Sequence, residues 1–337
     1  MVIRIYEGRP GTRRGEAAAG LSPAPRLARE RPEGYLADEG LIDAVNVALL
    51  LGRPLLLTGE PGTGKTQFAS SLAWELGLGE PLIFGTKSTS TAGDLFYTYN
   101  VLGRFHAAQV GEGSRRGLDY LTYNALGLAI LLAQPEEAVR HLLPEGFAHG
   151  GRRRSVVLID EVDKAPRDFP NDILNEVEGM YFHIPELGGV EVRADPAWRP
   201  ILVLTSNSEK DLPDAFLRRC IYYNIPFPDH ERLMRIVAAR LGPFEGRDGR
   251  FLADALDLFE RLRDPTTGLR KRPATAELLD WLEALDHTTP RDGNPLDGPP
   301  DRVAGLIART ASALVKTADD HELVREIVRR WTETHRL

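Results

Sequence analysis

The chain has 337 residues, longer than one average domain, so two domains, or one large domain with a lid, are expected. Hydrophobic residues make up 42%, enough for a packed core, and the net charge of −7 argues against nucleic-acid binding over the whole surface, leaving only a local basic patch open. The single cysteine, Cys220, excludes an intramolecular disulfide and any multi-cysteine zinc site. A reducing compartment is therefore expected, with Cys220 a small buried apolar residue.

The opening residues MVIRIY give way at once to GRPGTRRGE, with no apolar signal region. Pro, Gly, Arg and Ala dominate up to Gly34, which leaves too little apolar surface to offset chain entropy, so residues 1–34 read as a mobile leader or strap. From Leu36 to Leu51 the apolar spacing becomes helical and stops at Gly52. The stretch AVNVALLLGRPLLL is broken by Gly52, Arg53 and Pro54, so no membrane span is expected, and a cytoplasmic location fits.

Five apolar runs then read as buried strands: LLLT (55–58), PLIFGT (81–86), SVVLID (155–160), ILVLTSN (201–207) and IYYNIPF (221–227). Such near-continuous runs, alternating with helical stretches, predict a parallel sheet covered on both faces, an α/β fold. The interval 87–154 is too long for one crossover, and an insertion is expected around 95–150, helical over LDYLTYNALGLAILLA. Between Gly179 and Arg199, two β-rich pieces flank the turn Leu187-Gly188-Gly189 and predict a hairpin. From Asp229 onward only helical patterns remain, divided by Gly/Pro/Asp-rich loops. The expected organisation is a nucleotide-binding α/β domain over 35–228 and an all-α lid over 229–337, with no internal repeat.

The segment Gly59-Glu60-Pro61-Gly62-Thr63-Gly64-Lys65-Thr66 fits G-x-x-x-x-G-K-[ST] in full, after a strand and before the helical run QFASSLAWEL that Gln67 opens. Glycines let the backbone curl so that several N–H groups face phosphates, and the following helix adds the positive end of its dipole. Lys65 is placed to reach the β- and γ-phosphates of ATP, and Thr66 to hold Mg²⁺. Asp160 and Glu161 end the strand SVVLID; Asp160 would complete the Mg²⁺ shell and Glu161 would polarise the attacking water. Asn207, ending another strand, is expected to orient that water, with strand-ending turn chemistry as the alternative. The helix LPDAFLRRC carries Arg218 and Arg219, either of which could reach a neighbour's phosphate or simply be solvated.

These residues resemble the MoxR-like branch of AAA+ ATPases, in the clade with an insert in its second helix. GLIDAVNVALLLGRPLLLTGEPGTGKT is similar to that family's first helix and phosphate loop, and LIDEVDKAPRDFPNDILNEVEGMYFHIP to its acidic strand, third helix and hairpin. LPDAFLRRC resembles its arginine-finger helix, which implies Arg219 as the finger, with Arg218 standing where the family often has an acid. KRPATAELLDWLEAL resembles the sensor-2 helix of the lid and implies Arg272 on the γ-phosphate, with Arg270 and Lys271 as alternatives. The resemblance further implies a sheet in the order 5-1-4-3-2 and hexameric rings that hydrolyse ATP between subunits. It also implies remodelling of a client protein, often beside a partner with a von Willebrand factor A domain. A nucleic-acid-stimulated motor of a restriction or defence system, or an ATP-gated scaffold, are the alternatives. Against the former, Arg13-Arg14 and Arg152-Arg153-Arg154 are not interleaved with aromatics and read as solvated loops. Phe96, Tyr97 and Tyr99 read as core, though related motors place a pore loop there. The eight histidines show no metal-ligand spacing, so no metal beyond nucleotide-bound Mg²⁺ is expected.

Overall fold

The computed structural model describes residues 31–109, 116–208, 212–244, 246–290 and 292–334. The leader up to residue 30, with Arg13 and Arg14, lies outside them. The chain divides into two compact units, one of Tyr35–Glu60 and Gly64–Pro226, the other of Phe227 onward, with which the short pieces 31–34 and Pro61–Thr63 are grouped.

The first unit opens with the helix Glu39–Leu51, started by the Asp38 carboxylate accepting from the Leu41 N–H at 2.8 Å. It stops at Gly52, whose φ of 61° is the left-handed conformation that glycine tolerates. The strands are β1 (Leu55–Thr58), β2 (Leu82–Gly85), β3 (Tyr97–Tyr99), β4 (Leu121–Tyr123), β5 (Val156–Asp160), β6 (Tyr181–Ile184), β7 (Val190–Arg193), β8 (Ile201–Thr205) and β9 (Ile221–Asn224). Five of them form one sheet in the order β2-β5-β8-β1-β9, every pairing parallel. Counting only these five along the chain, the order is 5-1-4-3-2, as the family resemblance implied.

Successive side chains of a strand point to opposite faces. Leu55, Leu57, Leu158 and Val203 accordingly join one core with Phe68 and Leu72 of the helix Lys65–Glu75. Leu56, Ile159 and Leu204 join another with the helix Ala125–Leu132. β1 and β5 are buried as expected, but β2 and β9 are not: both alternate half-buried and exposed residues. They are the outer strands of the sheet, so only part of their apolar surface can be covered.

Between β2 and β5 the stretch expected to be one helical pattern is mixed. Leu118–Tyr120 lies in a 3-10 turn, Leu121–Tyr123 is β4, and only Ala125–Leu132 is α-helical. β4 pairs antiparallel with β3, more than twenty residues earlier, a contact that local periodicity does not encode. Gly127 has a specific use here: a Cβ on it would stand 2.0 Å from the Phe96 carbonyl oxygen, so only glycine lets this helix lie against that backbone. Phe96 is buried and stacks on Phe182 at 5.2 Å, while the Tyr97 hydroxyl donates to Glu186 at 2.8 Å. The core reading of these aromatics holds for Phe96. β6 and β7 form the hairpin, turning through Pro185–Leu187 and two glycines of positive φ. Arg152, Arg153 and Arg154 are engaged locally, on Asp195, the His149 carbonyl and the Ala197 carbonyl.

The second unit packs the helices His230–Leu241, Arg250–Arg263, Thr275–Thr288, Pro300–Thr310 and Ala318–Thr334 around Trp281, Trp331, Phe251 and Phe259. Both indole N–H groups are satisfied, Trp281 by Thr310 at 3.0 Å and Trp331 by Asp257 at 2.6 Å. No described helix is long and apolar enough to cross a membrane.

Candidate active site

The C-terminal ends of β1, β5 and β8 gather the residues singled out by their motifs, at the edge where open α/β sheets bind ligands. β1 runs into the loop Gly59–Gly64, in which Gly59, Gly62 and Gly64 have φ of 140°, 78° and 90°. Side chains there would be strained, and the loop needs the curl. Gly64 caps the helix Lys65–Glu75, whose first N–H groups have no intrahelical acceptor. The Lys65 ammonium turns back into the loop and donates to the carbonyls of Gly59 at 2.7 Å and Glu60 at 3.0 Å. Burial pulls its pKa below the ordinary lysine value, opposed by the charges of Asp163, Asp160, Glu161 and Glu60. Gln67 follows in the helix, half-buried.

β5 delivers Asp160 beside this loop. The Thr66 hydroxyl reaches the Asp160 carboxylate at 3.1 and 3.3 Å, joining residues 94 positions apart. Glu161 leaves the strand with φ 56° and ψ 53°, left-handed for a non-glycine residue, a conformation that costs about 1–3 kcal/mol. Its carboxylate pairs with Lys164, whose pKa is raised chiefly by that hydrogen bond, and stands 3.5 Å from the Asn207 side-chain amide. The Asn207 backbone N–H donates to Asp163 at 3.2 Å. The residue set fits ATP with Mg²⁺. It offers a buried ammonium inside a glycine loop, the N–H groups of a helix start, and one hydroxyl beside one carboxylate. That last pair gives Mg²⁺ hard oxygen ligands few enough to leave room for water and phosphate oxygens.

Residues 54–220 match the AAA domain family of the dynein-related subfamily. This is an AAA+ ATPase domain of the MoxR-like type. The gas vesicle ATPase GvpN of Ancylobacter aquaticus is 24% identical over 242 residues, covering 69% of this chain and 61% of that relative. The chain thus spans less than two thirds of the length of the relative it matches.

The two candidate finger arginines of the AAA+ domain lie elsewhere. They follow the helix Asp214–Leu217 and precede β9, whose first residue, Ile221, pairs with Leu55 at the start of β1. Arg218 and Arg219 are therefore at the N-terminal edge of the sheet, the length of a strand, about 10 Å, from the end that carries the phosphate loop. Arg219 pairs with Glu178 at 3.3 Å and donates to the Ala215 carbonyl at 3.1 Å; Arg218 is exposed, and its carbonyl accepts from Arg53 at 2.7 Å. A groove of about 290 Å³ lies here, lined by Arg53, Leu174, Arg199, Phe216, Arg219 and Cys220 among others. In the helical unit, the Arg270 guanidinium pairs with Asp319 at 2.5 Å, and the buried Asp320 accepts from the backbone N–H groups of Arg270 and Lys271. Arg272 is exposed in the coil before the helix Thr275–Thr288, where its charge helps hold the Asp264 carboxyl below its ordinary pKa, behind that carboxyl's bonds to Thr266.

Three residues of the site escaped the sequence reasoning. Lys164 was legible in principle, three positions after Glu161 in the same motif. Asp163 carries no signal of its own beside two stronger carboxylates. Thr205 is fully buried at the end of β8; the one clue is a hydroxyl in an otherwise apolar strand, and threonine is an ordinary strand former.

Proposed function

We propose that this protein hydrolyses ATP with Mg²⁺ in a ring of its own copies, and uses the turnover to remodel or activate a client protein. The observation that carries the reading is the meeting of Thr66, Asp160, Glu161 and Asn207 at one end of the sheet. In the proposal Lys65 and the loop N–H groups bind the phosphates, and Thr66 and Asp160 hold Mg²⁺, which neutralises developing phosphate charge when bound. Glu161 accepts the proton of the attacking water, with Asn207 orienting that water. The Glu161–Lys164 pair must loosen for the carboxylate to do so.

The ring rests on the arginines. From the far edge of the sheet, neither Arg218 nor Arg219 is placed to serve the phosphates of its own loop, so a finger role requires a second copy. Arg219 is the proposed finger and Arg272 the proposed lid contact. A hexamer, a partner with a von Willebrand factor A domain and a cytoplasmic site of action belong to the same proposal and are supported by the MoxR-like type. The Ancylobacter relative's name directs a first search for clients to gas-vesicle proteins. The local engagement of Arg152, Arg153 and Arg154 speaks against a nucleic-acid-stimulated motor.

The deciding experiment measures phosphate release and ATP binding side by side. The wild type should turn over ATP only with Mg²⁺, and Glu161→Gln should bind ATP as before while turnover drops about 10²–10⁴-fold. Unchanged turnover in that variant would remove Glu161 from the chemistry. A wild type that binds ATP but does not hydrolyse it, with or without a client, would leave the scaffold reading.

A further inference from the structure

Two features of the acidic pair lack an explanation in the motifs: why Glu161 holds a left-handed backbone, and what fixes the Asp160 carboxylate before any metal arrives. Both lead to one hydroxyl. Thr205 is fully buried at the end of β8. The register that sets Ile159 beside Leu204 brings Asp160 level with it. The Thr205 Oγ1 donates to Asp160 Oδ1 at 2.5 Å and accepts from the Glu161 N–H at 2.8 Å. A hydroxyl has one proton to give, and here it goes to the carboxylate. The same oxygen then receives the N–H that the left-handed turn at Glu161 presents. Thr66 also reaches Asp160, at 3.1 Å from the same Oδ1, so the carboxylate meets two hydroxyls.

We propose that Thr205 is the positioning residue of the acidic pair, orienting Asp160 for Mg²⁺ and holding the backbone turn that aims Glu161. The proposal rests on the ATPase reading above and deepens it. Thr205 touches neither nucleotide nor water in this scheme; it acts through its two neighbours. Asn207, two residues on, faces the Glu161 carboxylate instead, so the two β8-end residues divide the work between backbone and side chain. Outer-shell partners of metal ligands commonly matter 10–100-fold for metal affinity or activity.

The test uses the full chain with Thr205→Val, which keeps the branched shape and removes both bonds, and Thr205→Ser, which keeps the hydroxyl. A fluorescent ATP analogue is titrated at rising Mg²⁺, and turnover is measured in parallel. For Thr205→Val, the Mg²⁺ concentration giving half of the full effect on analogue binding should rise about tenfold, and kcat should fall about 10–100-fold. Mg²⁺-free binding of the analogue should stay within about threefold, because the Lys65 loop is untouched. Thr205→Ser should recover most of both losses. A merely structural threonine would lower Tm in Thr205→Val and leave the Mg²⁺ midpoint within about twofold of wild type, and that result overturns the proposal. Should Thr205→Val fail to fold, Thr205→Cys, similar in size and a weak hydrogen-bonder, is held to the same criterion. The binding arm needs no hydrolysis. A wild type without turnover would therefore count against the ATPase reading, while the Mg²⁺ midpoint still decides the role of Thr205.

Discussion

The two ends of the same five strands carry opposite chemistry. At the C-terminal end, Asp160, Glu161 and Asp163 surround a buried lysine in a glycine loop. At the N-terminal end, Arg53, Arg199 and Arg219 border a groove with Glu178 among them. In the proposed reading the first end receives phosphate and metal, while the second offers cations. A parallel sheet creates this division, since every strand points its C-terminus the same way and sets the residues before these short strands about 10 Å from those after them. Under the proposed mechanism a complete site needs both ends, and within this unit one copy holds them a strand's length apart.

The sharpest way to break that comparison is to remove the cation. Arg219→Ala should lower ATP turnover about 10³-fold while leaving nucleotide binding intact. Mixing Arg219→Ala with Lys65→Ala subunits, each inactive alone, should restore measurable turnover, because some junctions then carry an intact loop facing an intact arginine. No recovery in mixtures over a range of ratios would mean that the arginine does not act across copies.

A smaller effect is expected from Arg199, engaged on backbone carbonyls at the same edge. Its guanidinium donates to the carbonyls of Glu178 at 3.0 Å and Val177 at 3.3 Å, closing the end of the helix Leu174–Gly179. Arg199→Ala strands these carbonyls and should cost about 1–3 kcal/mol in urea unfolding, with ATP binding at the opposite end unchanged. Loss of ATP binding in a folded Arg199→Ala protein would show that the two ends are not independent.

The smallest perturbation is chemical. Burial pushes the Cys220 thiol up to about 12, because the thiolate cannot be solvated there, against a weaker opposing pull from Arg53. At pH 8 the reactive form is then roughly one part in ten thousand. Alkylation by iodoacetamide should be at least about a hundredfold slower in the native protein than in urea. Equal rates would mean that the groove opens far more readily than its packing implies.

What could be read from the sequence follows the range of the forces involved. The loop Gly59–Thr66 was legible because its chemistry depends on eight adjacent residues. Asp160, Glu161 and Asn207 were legible because strand ends are marked by a change from apolar to polar. Thr205 was not, since its meaning comes from Asp160, on a neighbouring strand 45 positions away. β4 was absorbed into a helical pattern for the same reason, as its partner β3 is distant in the chain. The outer strands β2 and β9 looked as apolar as the inner ones, because composition does not say which strand has a neighbour on both sides.

The outer strands also differ from one another, and that bears on how the protein behaves at high concentration. Beside β9 the Tyr223 hydroxyl reaches across to Asp38, the cap of the first helix, so that flank is tied to a covering element. On β2, Ile83 is 56% exposed, and among the described residues no strand pairs with its outer side. Unpaired backbone beside an exposed isoleucine is a template for misassembly, and its short run of Leu82–Gly85, closed by a glycine, limits the risk. A lysine at position 83 is the substitution to make first where the isolated protein clumps on storage.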